Sequence, residues 1–138
     1  MLDTVGTRLS SEEGMKRYYE LMSYERTDYA DYNRKYGSEN NLEATAKRTA
    51  QWNSYNRFGM MLRRGFVNVG ELYDMGNPGI VYFWAKYKPI VEESRKRFTG
   101  KDYCRDMEFL AGEMLKYMQL KDPSFLVPET FLKYVPDK

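Results

Sequence analysis

The residue types that carry most side-chain catalysis are scarce in this chain. Its 138 residues include no histidine and one cysteine, Cys104. Without histidine there is no Ser-His-Asp triad, no Cys-His pair and no imidazole ligand for a metal. One thiol cannot supply the ligands of a structural zinc site, and a cysteine among apolar helical positions is typical of a buried structural residue. The sequence therefore predicts no catalytic residue, no metal site and no cofactor.

Carboxylates are the remaining source of acid-base chemistry. Neighbouring acids occur as Glu92-Glu93, as Asp106 with Glu108, and as Glu108 with Glu113. Residues one, two or five positions apart on a helix do not face each other as residues four apart do. These pairs consequently do not form a preset general acid and base, and solvated helix faces explain them. A carboxylate-based enzyme is the least favoured of three interpretations of function.

Arginines near expected helix ends could bind anions. The candidate anion-binding residues are Arg63, Arg64, Arg95 and Arg97. If they converged on one face, they could track phosphates while neighbouring tyrosines stacked on bases. The chain has 22 basic and 20 acidic residues, however, and the helix dipole already favours cations at these ends. Nucleic-acid binding is therefore an alternative that is not favoured. The segment 76–79 (GNPG) also fits neither common phosphate-loop pattern.

Helix signals position these residues and predict an all-α domain of about five helices. A Ser or Asn with Glu three residues later marks helix starts at Ser10, in the run 40–43 and at Asn68, and Asp102 is a further cap. Gly65 fits the left-handed position that closes a helix. The stretch 11–36 forms one helix or two, with Thr27 as the cap of the second. We predict a single domain with its helical core over 11–121.

Apolar residues at three- and four-residue steps predict the core faces of these helices. One stripe comprises Leu42, Ala46, Thr49, Trp52, Tyr55 or Asn56, Gly59 and Leu62; another comprises Tyr29, Tyr32 and Tyr36; a third comprises Ile80, Val81, Trp84, Tyr87, Val91 and Phe98. Structural roles are predicted for Trp52, Gly65, Trp84, Tyr87 and Pro89. Proline at position 89 cannot donate to the carbonyl of Ala85, so the helix should bend or split there.

The last segment, 122–138, is predicted to be an extended apolar tail. Its large apolar residues are Phe125, Leu126, Val127, Phe131, Leu132, Tyr134 and Val135. Side chains of this kind must be buried somewhere, either on the chain's own helices or on a partner. Both outcomes stay open, and the seven residues are the predicted partner-binding set.

Several segments, taken in order, resemble a known family. They are residues 57–65 (RFGMMLRRG), 84–90 (WAKYKPI) with Arg95, 28–32 (DYADY), 34–37 (RKYG) and 107–111 (MEFLA). Together they resemble a prokaryotic family of domains of unknown function, numbered forty-seven sixty, over about Met15 to Met118. The resemblance implies an all-helical domain, often behind an N-terminal membrane helix that this chain lacks, and favours a structural pairing of Arg95 with a carboxylate. The family has no established activity, so no functional residue is carried over.

Composition favours a protein that acts by contact. Aromatic residues make up 16% of the chain, and tyrosine suits half-buried positions and interfaces. The longest apolar run, Ile80 to Ala85, is far shorter than the roughly 20 residues that span a bilayer. With no secretory signal and one cysteine, we expect a cytoplasmic protein without an integral membrane segment. The favoured interpretation is a non-enzymatic prokaryotic interaction module, a homo-oligomer or accessory subunit that binds protein.

Overall fold

Six α-helices and one π-helix make up the regular structure of residues 11–127, the part of the chain that the computed structural model describes. They are α1 (Glu12–Ser23), α2 (Tyr29–Tyr36), α3 (Leu42–Arg63), α4 (Val69–Asp74), α5 (Ile80–Ser94), the π-helix Arg95–Thr99 and α6 (Arg105–Lys121). No strand occurs in this range. The predicted all-α class is confirmed, and the open question over 11–36 resolves into two helices.

Side-chain caps define the starts of the first helices. Ser11 caps α1 by accepting a hydrogen bond from the Gly14 amide, so the cap is not Ser10 as predicted. Asp28 caps α2, whereas the predicted cap Thr27 instead donates its amide to the carboxylate of Asp31. The sequence patterns thus located both starts to within one residue. The cap assignment differs because neighbouring polar residues compete for the same free amides.

The starts of α4 and α6 and the end of α3 can also be compared with their predicted caps. Asn68 and Glu71 form the predicted reciprocal capping box at α4. Gly65 has a φ of +77° after α3, and the amide of Phe66 donates to the Met61 carbonyl at 2.9 Å, which is the expected left-handed closure. The cap of α6 was predicted wrongly. It is Cys104, in the left-handed region at φ +59°, and not Asp102.

The core lies where α3, α5 and α6 meet. Helices α3 and α6 make the most extensive contact of any helix pair in the described range. Gly59 permits their close approach, because a Cβ at this position would lie 1.8 Å from the Asp106 carbonyl oxygen. The large, fully buried side chains include Phe58, Phe83, Tyr87, Lys86, Ile90, Met107 and Met114.

Some predicted core positions are wrong. Leu42 is 76% exposed, and Ala46 and Thr49 are exposed as well, because the first half of α3 buries Ala44 and later Gln51 instead. Phe98 is 74% exposed, because the chain leaves the α-helix for the π-helix at Arg95 and the predicted stripe is interrupted.

Most residues with a predicted structural role are buried or half-buried in the protein. Trp52 and Tyr87 are buried, Trp84 packs half-buried against the core, and Tyr32 is the buried member of its stripe. Pro89 is buried within α5, which is continuous from Ile80 to Ser94 and does not split. A bend at this proline stays a prediction.

Candidate functional site

Two of the four arginines predicted to bind anions hold α6 in place. The Arg63 Nε lies 2.8 Å from Asp106 Oδ1, which ties the end of α3 to the start of α6. Arg95 pairs with Glu108 at 2.9 Å and donates from its Nε to the Tyr103 carbonyl oxygen. The carboxylate pairing of Arg95 is the structural role that the resemblance favoured. Both guanidinium groups are therefore already occupied by protein acceptors.

The side chains of the other two arginines, Arg64 and Arg97, are exposed to solvent. Arg97 pairs with Glu93 at 3.1 Å, one helical turn away, and its guanidinium lies 4.9 Å from the centre of the Tyr29 ring. Arg64 is exposed at the end of α3. Three of the four arginines thus pair with three different carboxylates, those of Asp106, Glu108 and Glu93.

The start of the tail packs on the chain's own helices. Phe125 lies against Tyr82, with ring centroids 6.4 Å apart, and Val127 is also half-buried against the core. The Gln119 side-chain amide donates to the Phe125 carbonyl oxygen at 3.3 Å. Leu126, in contrast, is 76% exposed. The remaining members of the predicted partner-binding set, Phe131, Leu132, Tyr134 and Val135, lie outside the described residues.

A buried polar cluster joins α5 to the end of α1. Tyr87 donates its hydroxyl to the Leu21 carbonyl oxygen at 2.6 Å, and the Lys86 Nζ donates to the Met22 carbonyl oxygen at 2.9 Å. The Arg26 guanidinium donates in turn to the Lys86 carbonyl oxygen. Carbonyls in the last turn of a helix lack partners within that helix, and these side chains supply them. Burial, with the nearby Arg26 charge, lowers the pKa of Lys86 to about 8.

The described acids and the thiol do not form a reactive centre. Hydrogen bonds from Lys47 and Tyr24 lower the pKa of Glu20, and an amide and two cations lower that of Asp31. Burial raises the pKa of the Cys104 thiol, the opposite of what an activated nucleophile needs. Within residues 11–127, no group of three or more metal-ligating side chains is arranged to hold a metal ion.

An open cleft of about 290 Å³ lies between α1, α3 and the loop from α4 to α5. We call it the tyrosine cleft. It is lined by Met15, Tyr18, Tyr19, Gln51, Tyr55, Gly76, Asn77, Pro78, Gly79 and Tyr82. No lining residue carries a formal charge at neutral pH, although 30% of the whole chain is charged. This cleft is the best candidate for a binding site formed by apolar contact.

Local contacts fix the walls of the tyrosine cleft. Tyr18 donates its hydroxyl to the Gly79 carbonyl oxygen at 3.2 Å, and its ring would lie 3.1 Å from any Cβ at Gly79. Tyr19 meets Tyr18 edge to face, with centroids 5.4 Å apart. Burial raises the pKa values of Tyr18 and Tyr55 above the ordinary 10.0 of a phenol, which is already neutral at physiological pH.

One polar group in the tyrosine cleft stands out. Asn77 is buried, and its side-chain Nδ2 has no hydrogen-bond partner in the described part of the chain. A buried amide without an acceptor is unfavourable by roughly 1 to 3 kcal/mol. The lining of the cleft therefore combines apolar walls with a buried amide that lacks an acceptor among the described residues.

Sequence reasoning missed the tyrosine cleft. The segment 76–79 fits no phosphate-loop pattern, and nothing in its local sequence connects it with Tyr18 or Tyr55. A usable signal was present, because a turn rich in glycine, asparagine and proline precedes an aromatic helix that begins at Ile80. The cleft nevertheless needs residues from three separate elements, and the sequence does not show that they meet.

Comparisons with known proteins returned no relative. No family model, no curated protein and no solved structure matches this chain. The resemblance to the family numbered forty-seven sixty stays a prediction. No helix between Ser11 and Val127 is long and apolar enough to cross a membrane.

Proposed function

We propose that this protein is a non-enzymatic interaction module whose tyrosine cleft captures a short uncharged apolar segment of a partner polypeptide. The observation that carries the proposal is the absence of formal charge from a cleft with four tyrosines in its lining. Tyrosine supplies a large contact area at low entropic cost and is enriched among residues that dominate binding energy.

Electrostatics select the occupant. A charged ligand would lose its hydration in the tyrosine cleft without gaining an opposite charge, whereas an apolar side chain loses nothing on leaving water. A peptide also brings backbone carbonyls, which are acceptors suited to the Asn77 amide. The volume of about 290 Å³ is at the lower limit for a drug-sized ligand and suits one or two large side chains of a segment lying across the opening.

Neither alternative function gains comparable support. Three of the arginines that would carry nucleic-acid binding are paired with Asp106, Glu108 and Glu93. Carboxylate catalysis would need an acid with a raised pKa, and the described carboxylates with resolved shifts are lowered. A cytoplasmic location, self-association and a prokaryotic source stay predictions that are compatible with the proposed module.

The proposal is tested by selecting peptides on the whole protein. A display library of neutral peptides with a central pair of large apolar residues is compared with a matched library in which that pair is serine. We expect enrichment only from the apolar library. Fluorescence polarisation with a selected peptide should then show that Tyr19→Ser weakens binding by about tenfold or more, the effect of losing a dominant interface tyrosine.

Phe66→Ser is the matched control. Tyr19 and Phe66 are similarly exposed, at 64% and 66%, but only Tyr19 lines the tyrosine cleft. Phe66→Ser should therefore leave peptide affinity unchanged. Equal enrichment from both libraries, or equal loss of affinity in the two variants, would contradict the assignment.

A further inference from the structure

A second cleft, of about 530 Å³, lies between α2, the loop that follows it and the end of α5. We call it the arginine cleft, because Arg48 of α3 is the one cation in its lining. Its volume is within the range of about 300 to 1,000 Å³ that is usual for small-molecule sites. Unlike the tyrosine cleft, it has a mainly polar lining that includes Asn33, Ser38, Asn40 and Ser94.

Arg48 carries a positive charge that no described carboxylate balances. It forms no ion pair within 4.0 Å among residues 11–127, and its Nε is buried without an acceptor there. The guanidinium carbon lies 4.6 Å from the centre of the Trp52 ring, which fixes one face of the group. An arginine held in this way in a cleft wall is a preformed site for an oxyanion, because its planar fork matches carboxylate and phosphate oxygens.

Aromatic rings form the other walls. Tyr29, Tyr32, Tyr103 and Phe98 all line the arginine cleft. Burial raises the pKa of Tyr32 and of Tyr103 to about 12, and the positive charge of Arg48 acts against that rise in both. Phe98 is largely exposed at the edge of the cleft because the π-helix Arg95–Thr99 displaces it from the core face of α5. Such π-helical turns are frequent at functional sites.

One lining residue has the opposite charge. Glu39 is exposed, and its carboxylate forms no ion pair with Arg48 or with any other cation in the described range. It does not neutralise the arginine, and it would repel a bound anion weakly through solvent. This residue therefore provides a test of the sign of the ligand charge.

We propose that the arginine cleft binds a small organic anion that combines a flat ring with a carboxylate or phosphate elsewhere in the same molecule. The Arg48 guanidinium holds the oxyanion, and the ring lies among Tyr29, Tyr103 and Phe98. This site is independent of the tyrosine cleft, with which it shares no lining residue.

Isothermal titration calorimetry on the whole protein tests the site with named probes. Adenosine monophosphate supplies a ring with a phosphate, and para-hydroxyphenylacetate supplies a ring with a carboxylate. Adenosine and para-hydroxyphenylethanol are their uncharged counterparts, and inorganic phosphate lacks the ring. At least one of the two ring anions should bind about tenfold more tightly than its uncharged counterpart and than phosphate. Which ring anion binds distinguishes the two sources of the oxyanion.

Variants assign the binding to the arginine cleft. Arg48→Met should weaken binding of the ring anion by about tenfold or more, the usual effect of losing a hydrogen-bonded charge. Arg64→Met, an exposed arginine at the end of the same helix, should leave it unchanged. Binding should also shift the indole N–H resonance of Trp52, identified by comparison with Trp84→Phe.

Two exposed positions test the site if Arg48→Met does not fold. Phe98→Ser should weaken the ring anion several-fold and leave inorganic phosphate unaffected, whereas Glu39→Gln should strengthen the ring anion. The proposal is overturned if neither ring anion binds, if the uncharged counterparts bind equally well, or if binding is unaffected by Arg48→Met or, where that variant does not fold, by both exposed substitutions.

Discussion

The contact between α3 and α6 and the attachment of α1 to α5 are built from different interactions. Between α3 and α6 the backbones approach closely at Gly59, and the α6 side chains Met107, Leu110 and Met114 are buried. The end of α1 also buries Leu21, but its last carbonyls in addition accept side-chain hydrogen bonds from Tyr87 and Lys86 of α5. Close backbone approach characterises the first contact, and buried hydrogen bonds from side chains to helix-end carbonyls characterise the second.

This difference explains where binding sites can form. Close-packed helices leave little space between them, and neither cleft is lined by a residue of α6. The tyrosine cleft adjoins α1, and the arginine cleft adjoins α2, which also packs lightly on α3 and α5. Stability is therefore concentrated on the α3–α6 side and binding on the α1–α2 side.

The largest expected effect comes from filling the space at Gly59. In Gly59→Ala the new Cβ would overlap the Asp106 carbonyl oxygen, and the backbone of α6 cannot move aside as a flexible side chain could. We expect the free energy of unfolding to fall by about 3 kcal/mol, at the upper end for overpacked cores. Urea denaturation followed by circular dichroism measures this change.

Gly112→Ala in α6 is the control for that substitution. A Cβ there would meet no atom within 4 Å, and the position is exposed within the helix. Alanine should therefore increase stability by up to about 1 kcal/mol through its helix propensity. A loss at Gly59→Ala no larger than the ordinary scatter of surface substitutions would show that the two helices do not touch as described.

Much of the fold could be predicted because helix ends are encoded locally. The capping box of Asn68 and Glu71 and the helix end at Gly65 are formed by residues at most a few positions apart, so a local pattern is enough to predict them.

The wrong prediction of Leu42 as a core residue has a physical reason. The predicted stripe is buried or half-buried from Trp52 onwards, but its first members, Leu42, Ala46 and Thr49, are exposed, because the first half of α3 turns a different face, that of Ala44, towards the protein interior.

The sites could not be predicted because their parts are far apart in sequence. A lysine such as Lys86 is normally a surface residue, but here it is buried, and its Nζ donates to the carbonyl oxygen of Met22, 64 residues away. Arg48 likewise appears as half of an ordinary basic dipeptide. Only the assembled helices show that Arg48 has no described carboxylate partner. They also show that Arg63 and Arg95 pair with two different acids and do not converge on one anion.

The second largest expected loss of stability comes from removing a hydrogen bond that attaches α1 to α5. Tyr87→Phe keeps the buried ring but removes the hydroxyl that donates to the Leu21 carbonyl oxygen. Losing this hydrogen bond leaves the buried Leu21 carbonyl oxygen with only the longer one from the Tyr24 amide, at 3.4 Å, and should lower the free energy of unfolding by about 1.5 kcal/mol. Tyr29→Phe is the control, since no hydrogen bond of its hydroxyl to a described residue is present and α2 should tolerate its loss. Equal changes in the two variants would mean that the hydroxyl of Tyr87 does not attach α1.

The smallest effect concerns Lys86, the other half of that attachment, and it appears as a pH dependence. The pKa of Lys86 is lowered to about 8 in the folded protein, from an ordinary value of 10.5, by burial and by Arg26, while Glu25 acts in the opposite direction. Above the folded pKa the native state has lost this proton and the unfolded chain still holds it. The unfolded state then binds more protons, so stability must rise with pH in this window.

We therefore expect the free energy of unfolding to increase by about 1 kcal/mol from pH 7.5 to pH 9 in the wild type, relative to Lys86→Met. The comparison with the variant removes the contributions of other groups, including Cys104 and the tyrosines, whose raised pKa values act in the opposite direction at higher pH. Urea titrations at several pH values measure the difference. If the two proteins change in parallel, Lys86 keeps its ordinary pKa, and water reaches the junction between α1 and α5. The polar side of the molecule would then be open at this junction as well as at its clefts.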